Sequence, residues 1–223
     1  MARLSFITIF PDLVQATLRF GVLRAASAKE QVAYQVVNLR DFAVDAHGSV
    51  DGRPYGGGDG MVMRPEPICE AIDSLGAHQH VIYLCPKGKI FTQADAEILA
   101  EKSQSQGLVF LCGRFGGVDE RALELSVHER YSLGPFIAAG GEFPSLCVAE
   151  AIVRLLPGVL GNDESAKADS FGCAYQGDLE HPLYTRPPIY RGLEVPPVLL
   201  QGDHKAIADW QREQRQKLRL PKK

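Results

Sequence analysis

What most restricts the fold of this 223-residue chain is a repeated order of short apolar runs, each followed by a segment of helical period. Leu4 to Phe10, Val32 to Asn38, His80 to Cys85 and Leu108 to Cys112 are strand-length and rich in β-branched or aromatic residues, so they read as strands. Between them, Pro11-Asp12 opens a helix with Leu13, Ala16, Thr17 and Phe20 at helical spacing. Pro65 and Pro67 open another through Ile68, Ile72 and Leu75, and Thr92 caps a third that runs to Lys102. Val118 to Leu125 and Ser145 to Leu156 read as two more, the second stopped by Pro157-Gly158. Alternation of this kind covers both faces of a parallel sheet with helices, so the expected class is α/β.

The pattern stops at Gly161. Asn162 to Gly177 is small and polar, reads as a linker, and precedes a proline-rich stretch from His181 to Pro197 and a helix capped by Asp203 that carries Ile207, Trp210 and Leu218. The expected division is therefore a main domain over 1–161, a linker over 162–177 and a small C-terminal domain over 178–223. Charge is segregated along the same line. From His204 to Lys223, seven basic residues face two acidic ones, leaving −8 on the rest of a chain whose total is −3. A phosphate-facing element and a plain solvated helix face both fit that tail. The five cysteines lack any C-x-x-C spacing, so neither a disulfide framework nor a zinc site is indicated, and they suit a reducing compartment. Leu4 to Phe10 is too short for a signal-peptide core, and no apolar run approaches about 18 residues. A soluble, cytoplasmic protein is the expectation, with no membrane partner.

Two glycine-broken segments hold the candidate site. Leu111-Cys-Gly-Arg-Phe-Gly-Gly-Val-Asp-Glu-Arg121 follows a strand, and Tyr131-Ser-Leu-Gly-Pro-Phe-Ile-Ala-Ala-Gly-Gly-Glu142 leads through Pro144 and Ser145 into a helix. At strand ends of an open α/β sheet such glycines let backbone approach a flat polar ligand. They also serve as ordinary tight turns, and the two readings stay open on pattern alone. The Gly56-Gly57-Gly58 loop is weaker, because it has neither the Gly-Lys-Ser/Thr of a P-loop nor the setting of a dinucleotide site.

In wording and order these segments resemble the bacterial tRNA (guanine-N1)-methyltransferase family, a branch of the knotted SPOUT methyltransferases. The likeness extends to Asn38-Leu-Arg-Asp-Phe42, Val50-Asp-Gly-Arg-Pro-Tyr-Gly-Gly-Gly-Asp-Gly-Met61, Leu155-Leu-Pro-Gly-Val-Leu-Gly161, Asp169-Ser-Phe171, His181-Pro-Leu-Tyr-Thr-Arg-Pro187, Val195-Pro-Pro-Val-Leu-Leu200 and Ile207-Ala-Asp-Trp210. It implies a SPOUT-type parallel sheet with a deep trefoil knot, a small helical C-terminal domain that binds tRNA, expected here to be shorter than the family's, and a homodimer with shared active sites. It further implies methylation of guanine 37, next to the anticodon, with S-adenosylmethionine as donor. Magnesium enters as a further implied cofactor, for which no ligand set is assigned.

By the same resemblance Asp169 is the general base and Arg154 the helix-borne cation. Read from local sequence alone, Asp169-Ser170 is equally a helix cap and Arg154 a last-turn complement to the helix dipole. The implied cofactor contacts are Cys85, Pro86, Gly113, Phe115, Leu133, Gly134, Pro135, Phe136, Ile137, Ala138, Gly140 and Gly141. Three departures fall at the site. Gly116 stands where the family has an acid, Pro135 where it has an aspartate, and Asp59 where it has a proline. They keep open a divergent paralogue with another RNA or small-molecule substrate, beside an unrelated nucleotide-binding α/β enzyme.

Overall fold

The computed structural model describes residues 1–161, 169–175 and 177–218. The chain forms two compact units, Met1–Gly161 and Asn162–Lys223. In the first, five strands make one sheet: β1 (Ala2–Thr8), β2 (Val32–Asn38), β5 (Gln79–Ile90), β6 (Gly107–Leu111) and β7 (Glu129–Ser132), in the order β2-β1-β6-β5-β7. Every pairing is parallel, with Leu4 opposite Leu108 and Val81 opposite Val109. A two-stranded ribbon, β3 (Asp51–Gly52) and β4 (Val62–Met63), stands apart. Helices are α1 (Pro11–Thr17), α2 (Gly21–Ala28), α3 (Pro65–Asp73), α4 (Gln93–Ser105), α5 (Glu120–Ser126) and α6 (Glu142–Val153).

Strand residues alternate between two cores, as the pleat requires. Leu108 and Phe110 of β6 join Leu4, Phe6, Leu99 and Ile152 on one face, while Val109 and Leu111 join Ile7, Met63, Ile68 and Ala122 on the other. Phe6 and Phe110 stack at 5.1 Å across β1 and β6. Burial on both faces explains why these strands read as continuous apolar runs.

Three local expectations change. The helix after Pro11 breaks in two, because Phe20 is extended and Gly21 takes φ +57°, a conformation that interrupts a right-handed helix. Strand β5 runs beyond Cys85. Both Leu84 and Lys89 pair with Tyr131, so Cys85 to Gly88 bulge out of the ladder and the strand resumes at Lys89. A Cβ at Gly88 would lie 2.4 Å from the Tyr131 backbone nitrogen, so the return of the strand needs glycine. Strand β7, which begins Glu129-Arg130, has no apolar alternation to announce it, and its pairing with β5 is what makes it a strand.

In the second unit, Asp203 Oδ1 accepts from the backbone of Lys205 and Ala206, starting α7 (His204–Leu218) as expected. His181, Trp210, Tyr175 and Tyr184 gather with ring centroids 6.1–6.4 Å apart. Two short strands, β8 (Ile189–Tyr190) and β9 (Leu193–Glu194), form a hairpin. No helix among the described residues is long and apolar enough to cross a membrane.

Edge strand β7 is tied down by charge. Glu129 accepts from Lys102 at 3.0 Å and from the Tyr131 hydroxyl, and meets His80 Nε2 at 2.8 Å. Burial alone would raise the Glu129 carboxyl, but the hydrogen bonds of Tyr131 and Lys102 and the Lys102 charge outweigh it and hold the group at about 2. A depressed carboxyl stabilises fully above its unfolded value, near 4.5, and that stabilisation is lost as pH falls toward 2. Glu129→Gln should therefore lower the melting temperature at pH 7 and flatten its decline between about pH 5 and pH 2. Thermal melts across that range check it, and an unchanged acid slope would exclude a stabilising role for the cluster.

Candidate functional site

The C-terminal ends of β5, β6 and β7 open into one cleft, where open α/β sheets hold ligands. It encloses ≈ 290 Å³, at the lower edge of the roughly 300–1,000 Å³ usual for small-molecule sites. Three chain segments meet there: the β5 bulge, the loop after β6 from Gly113 to Val118, and the run after β7 from Ser132 to Gly141. Of the twelve cofactor contacts expected from sequence, eleven line the cleft: Cys85, Pro86, Gly113, Phe115, Leu133, Gly134, Phe136, Ile137, Ala138, Gly140 and Gly141. Pro135 is not among the lining residues.

A buried carboxylate joins the loops. Glu142, the first residue of α6, has no exposed surface; it accepts from Thr8 Oγ1 at 2.7 Å and from Arg114 Nε at 2.8 Å. Arg114 also lies over the Phe10 ring at 4.5 Å. The end of β1, the loop after β6 and the start of α6 thus share one charge pair. Beside it, the Gly141 N–H donates to the Gly113 carbonyl at 2.8 Å.

The glycines have a different reason from the one the sequence suggests. A Cβ on Gly141 would sit 2.8 Å from the Gly113 nitrogen, one on Gly113 would sit 2.8 Å from the Tyr83 ring, and one on Gly140 would strike the Arg114 side chain. These positions need glycine for the protein's own close packing, before any ligand arrives. The loop Gly56 to Gly60 is different, since Gly56, Gly57, Gly58 and Gly60 all have positive φ and open space around them. Its exit is sewn to the cleft: Gly116 donates to Met61 O at 2.7 Å and Met63 to Gly117 O at 2.9 Å. A Cβ at Gly116 would lie 3.0 Å from Met61 O, so a carboxylate side chain there needs the loop to shift slightly.

The lining combines apolar side chains, among them Leu84, Pro86, Phe115, Leu133, Phe136 and Ile137, with glycines at 113, 116, 117, 134, 140 and 141. Tyr83, Glu120 and Arg130 also line the cleft and were not expected. Tyr83 precedes the bulge and could have been found from strand alternation, whereas Glu120 and Arg130 meet only through tertiary structure. Burial pushes the Tyr83 hydroxyl up to about 12 and the Cys112 thiol to about 12, so neither ionises near neutral pH. Apolar side chains together with backbone donors and acceptors suit an adenosine. Among the described residues no group of three or more His, Cys, Asp or Glu side chains could hold a metal ion.

The two residues expected to carry the chemistry are not in this cleft lining. Arg154 caps the C-terminal end of α6, whose N-terminal end forms the cleft edge. Twelve helical residues separate them, about 18 Å along the axis. Asp169 belongs to the second unit, where its carbonyl accepts from the Gly172 N–H at 2.9 Å.

Residues 2–222 match the family model described as tRNA (Guanine-1)-methyltransferase TrmD. The chain belongs to this family. A tRNA (guanine-N(1)-)-methyltransferase of Bacillus subtilis (strain 168) is 43% identical over 216 residues, covering 95% of this chain and 86% of that protein. One from Latilactobacillus sakei subsp. sakei is 47% identical over 212 residues, covering 93% and 83%. One from Alcanivorax borkumensis is 45% identical over 213 residues, covering 94% and 79%. Membership of the TrmD family thus agrees with the resemblance read from the sequence, and the match spans both compact units.

The Glu142 pair should be energetically prominent in this family member. Glu142→Ala leaves Arg114 without its buried partner, for which a cost of about 3–5 kcal/mol is expected. Urea denaturation measures it, and a loss below about 1 kcal/mol would show that Arg114 simply turns to water.

Proposed function

We propose that this protein methylates N1 of guanine in tRNA, at the guanine 37 position next to the anticodon, with S-adenosylmethionine held in the cleft. The observation that carries this reading is the convergence of three family-like segments, Cys85–Gly88, Gly113–Gly117 and Leu133–Gly141, on one cleft in a chain that matches the family from residue 2 to 222. When bound there, S-adenosylmethionine supplies a methyl group activated by its sulfonium. The chain's own tasks are to orient, to accept a proton and to stabilise charge. N1 of guanine carries a proton at neutral pH, and Asp169 is proposed to accept it. Electron density that then develops on O6 is met by the Arg154 guanidinium. The trefoil knot, the cytoplasmic location and the tRNA-binding role of the C-terminal unit with its basic helix α7 are parts of the same proposal, as is a magnesium requirement, for which no residue is nominated.

The active form is proposed to be a homodimer. Arg154 stands at the far end of α6 from the cleft that the same chain forms, so it fits a role in the partner's site. The outer side of α6 supports this, because Phe143 is 66% exposed and Cys147, one turn on, is also exposed. In this arrangement one subunit gives the cleft and the other gives Arg154 together with Asp169.

The primary test is incubation of purified protein with labelled S-adenosylmethionine and unmodified tRNA, followed by nucleoside analysis. N1-methylguanosine is the expected product. Asp169→Asn preserves shape while removing proton acceptance, so turnover should fall by about two to four orders of magnitude with donor affinity nearly unchanged. Intact methylation by that variant would remove Asp169 from the role of base. Cofactor binding without any tRNA methylation would favour a divergent paralogue, the reading that Gly116 motivates.

Subunit mixing separates the ways of sharing a site. Asp169→Ala mixed with a cleft variant such as Phe136→Ala should regain part of the activity, because one composite site is then whole. Asp169→Ala mixed with Arg154→Ala should stay inactive, since each site would lack one group. Recovery in both mixtures, after demonstrated exchange, would assign Arg154 to the cleft's own chain.

A further inference from the structure

One ion pair in the cleft is left unexplained by adenosine recognition. Arg130 Nη2 of β7 and Glu120 Oε1 at the start of α5 lie 2.7 Å apart, and both residues line the cleft. Glu120 is the only carboxylate among the described lining residues. Of the two lining guanidinium groups, Arg114 is engaged by the buried Glu142, whereas Arg130 pairs with Glu120, itself a cleft residue. The pair sits beside Tyr83, whose hydroxyl feels both charges, and the Tyr83 ring packs on Gly113. The cleft lining therefore combines apolar side chains with a paired anion and cation.

We propose that Arg130 and Glu120 form a subsite for the α-amino acid end of the methyl donor, Glu120 taking the ammonium group and Arg130 the carboxylate. This rests on the cofactor reading above. The match is one of charge pattern: a zwitterion offers one cation and one anion a few ångströms apart, and the pair offers the complement. Opening the pair costs little, because its side chains are 31% and 55% exposed and solvent screens such pairs strongly. A planar guanidinium then meets the carboxylate with two parallel hydrogen bonds. Glu120 has a second effect, since it is the carboxylate among the described lining residues and can offset a ligand whose sulfonium adds a further positive charge. The pair thus discriminates the intact donor from fragments that lack the amino acid.

Calorimetry with three probes tests the assignment: S-adenosylmethionine, its decarboxylated form, and 5′-methylthioadenosine, which lacks the amino acid altogether. Arg130→Gln should weaken S-adenosylmethionine about tenfold and barely change the decarboxylated form, while Arg130→Lys, which keeps the charge but not the two-pronged geometry, should recover only part of the affinity. Glu120→Gln should weaken both cationic probes about tenfold. Neither variant should alter methylthioadenosine binding. Equal losses on all three probes would show that the pair only shapes the cleft, and unchanged S-adenosylmethionine affinity in both variants would place the amino acid end elsewhere; either result overturns the proposal. If methylthioadenosine binds wild type while S-adenosylmethionine binds no better, this subsite falls and the adenosine site stands. Should none of the probes bind wild type, the cofactor reading itself fails and takes this subsite with it.

Discussion

The cleft depends on a carboxylate that water does not reach. Burying Glu142 is tolerable only because Thr8 and Arg114 both donate to it, as an unpaired charge at that depth would cost several kcal/mol. The first turn of α6 helps, because unsatisfied helix N–H groups favour negative charge there. Since the three partners come from the end of β1, the loop after β6 and the start of α6, the pair converts separate strand ends into one frame. With the frame closed, Gly141 and Gly113 touch backbone to backbone, and that contact leaves no room for a side chain.

Around this frame the other two walls are held by different means. The β5 bulge is a consequence of register: Leu84 and Lys89 both meet Tyr131, so four residues must leave the ladder, and three of them, Cys85, Pro86 and Lys87, line the cleft. Strand β7 is an edge strand only four residues long, and short edge strands carry few ladder bonds. Glu129, with Lys102 and His80, replaces the missing pairing by charge and hydrogen bonding. The same strand then delivers Arg130 to the cleft and runs on into Leu133 to Gly141.

The residues proposed for chemistry and those proposed for cofactor binding are distributed unequally along the chain. The main unit builds the cleft, and Asp169 lies in the second unit while Arg154 lies at the helix end turned away from the cleft's edge. Such a layout suits the proposed shared site, because a helix that anchors a cleft at its first turn presents a cation at its last. The substitutions noted at Gly116 and Pro135 differ in weight. Gly116 is a lining residue hydrogen-bonded to Met61, whereas Pro135 is outside the lining.

The sequence by itself determined the fold class and most of the cleft. Strands buried on both faces leave continuous apolar runs, helices leave a 3.6-residue period and caps, and the glycine-broken segments Gly113 to Gly117 and Leu133 to Gly141 stand out because local backbone geometry is a local property. Its wording was also enough to place the chain in its family. What only the tertiary structure decided were relations between residues far apart in the chain: the break at Gly21, the bulge at Cys85 to Gly88, the existence of β7, the Thr8–Glu142–Arg114 and Arg130–Glu120 partnerships, and the packing reason for the glycines. None of these leaves a periodic or compositional trace, since a parallel sheet brings together segments separated by a crossover. The energy of such contacts resides in pairs that no single stretch of sequence contains.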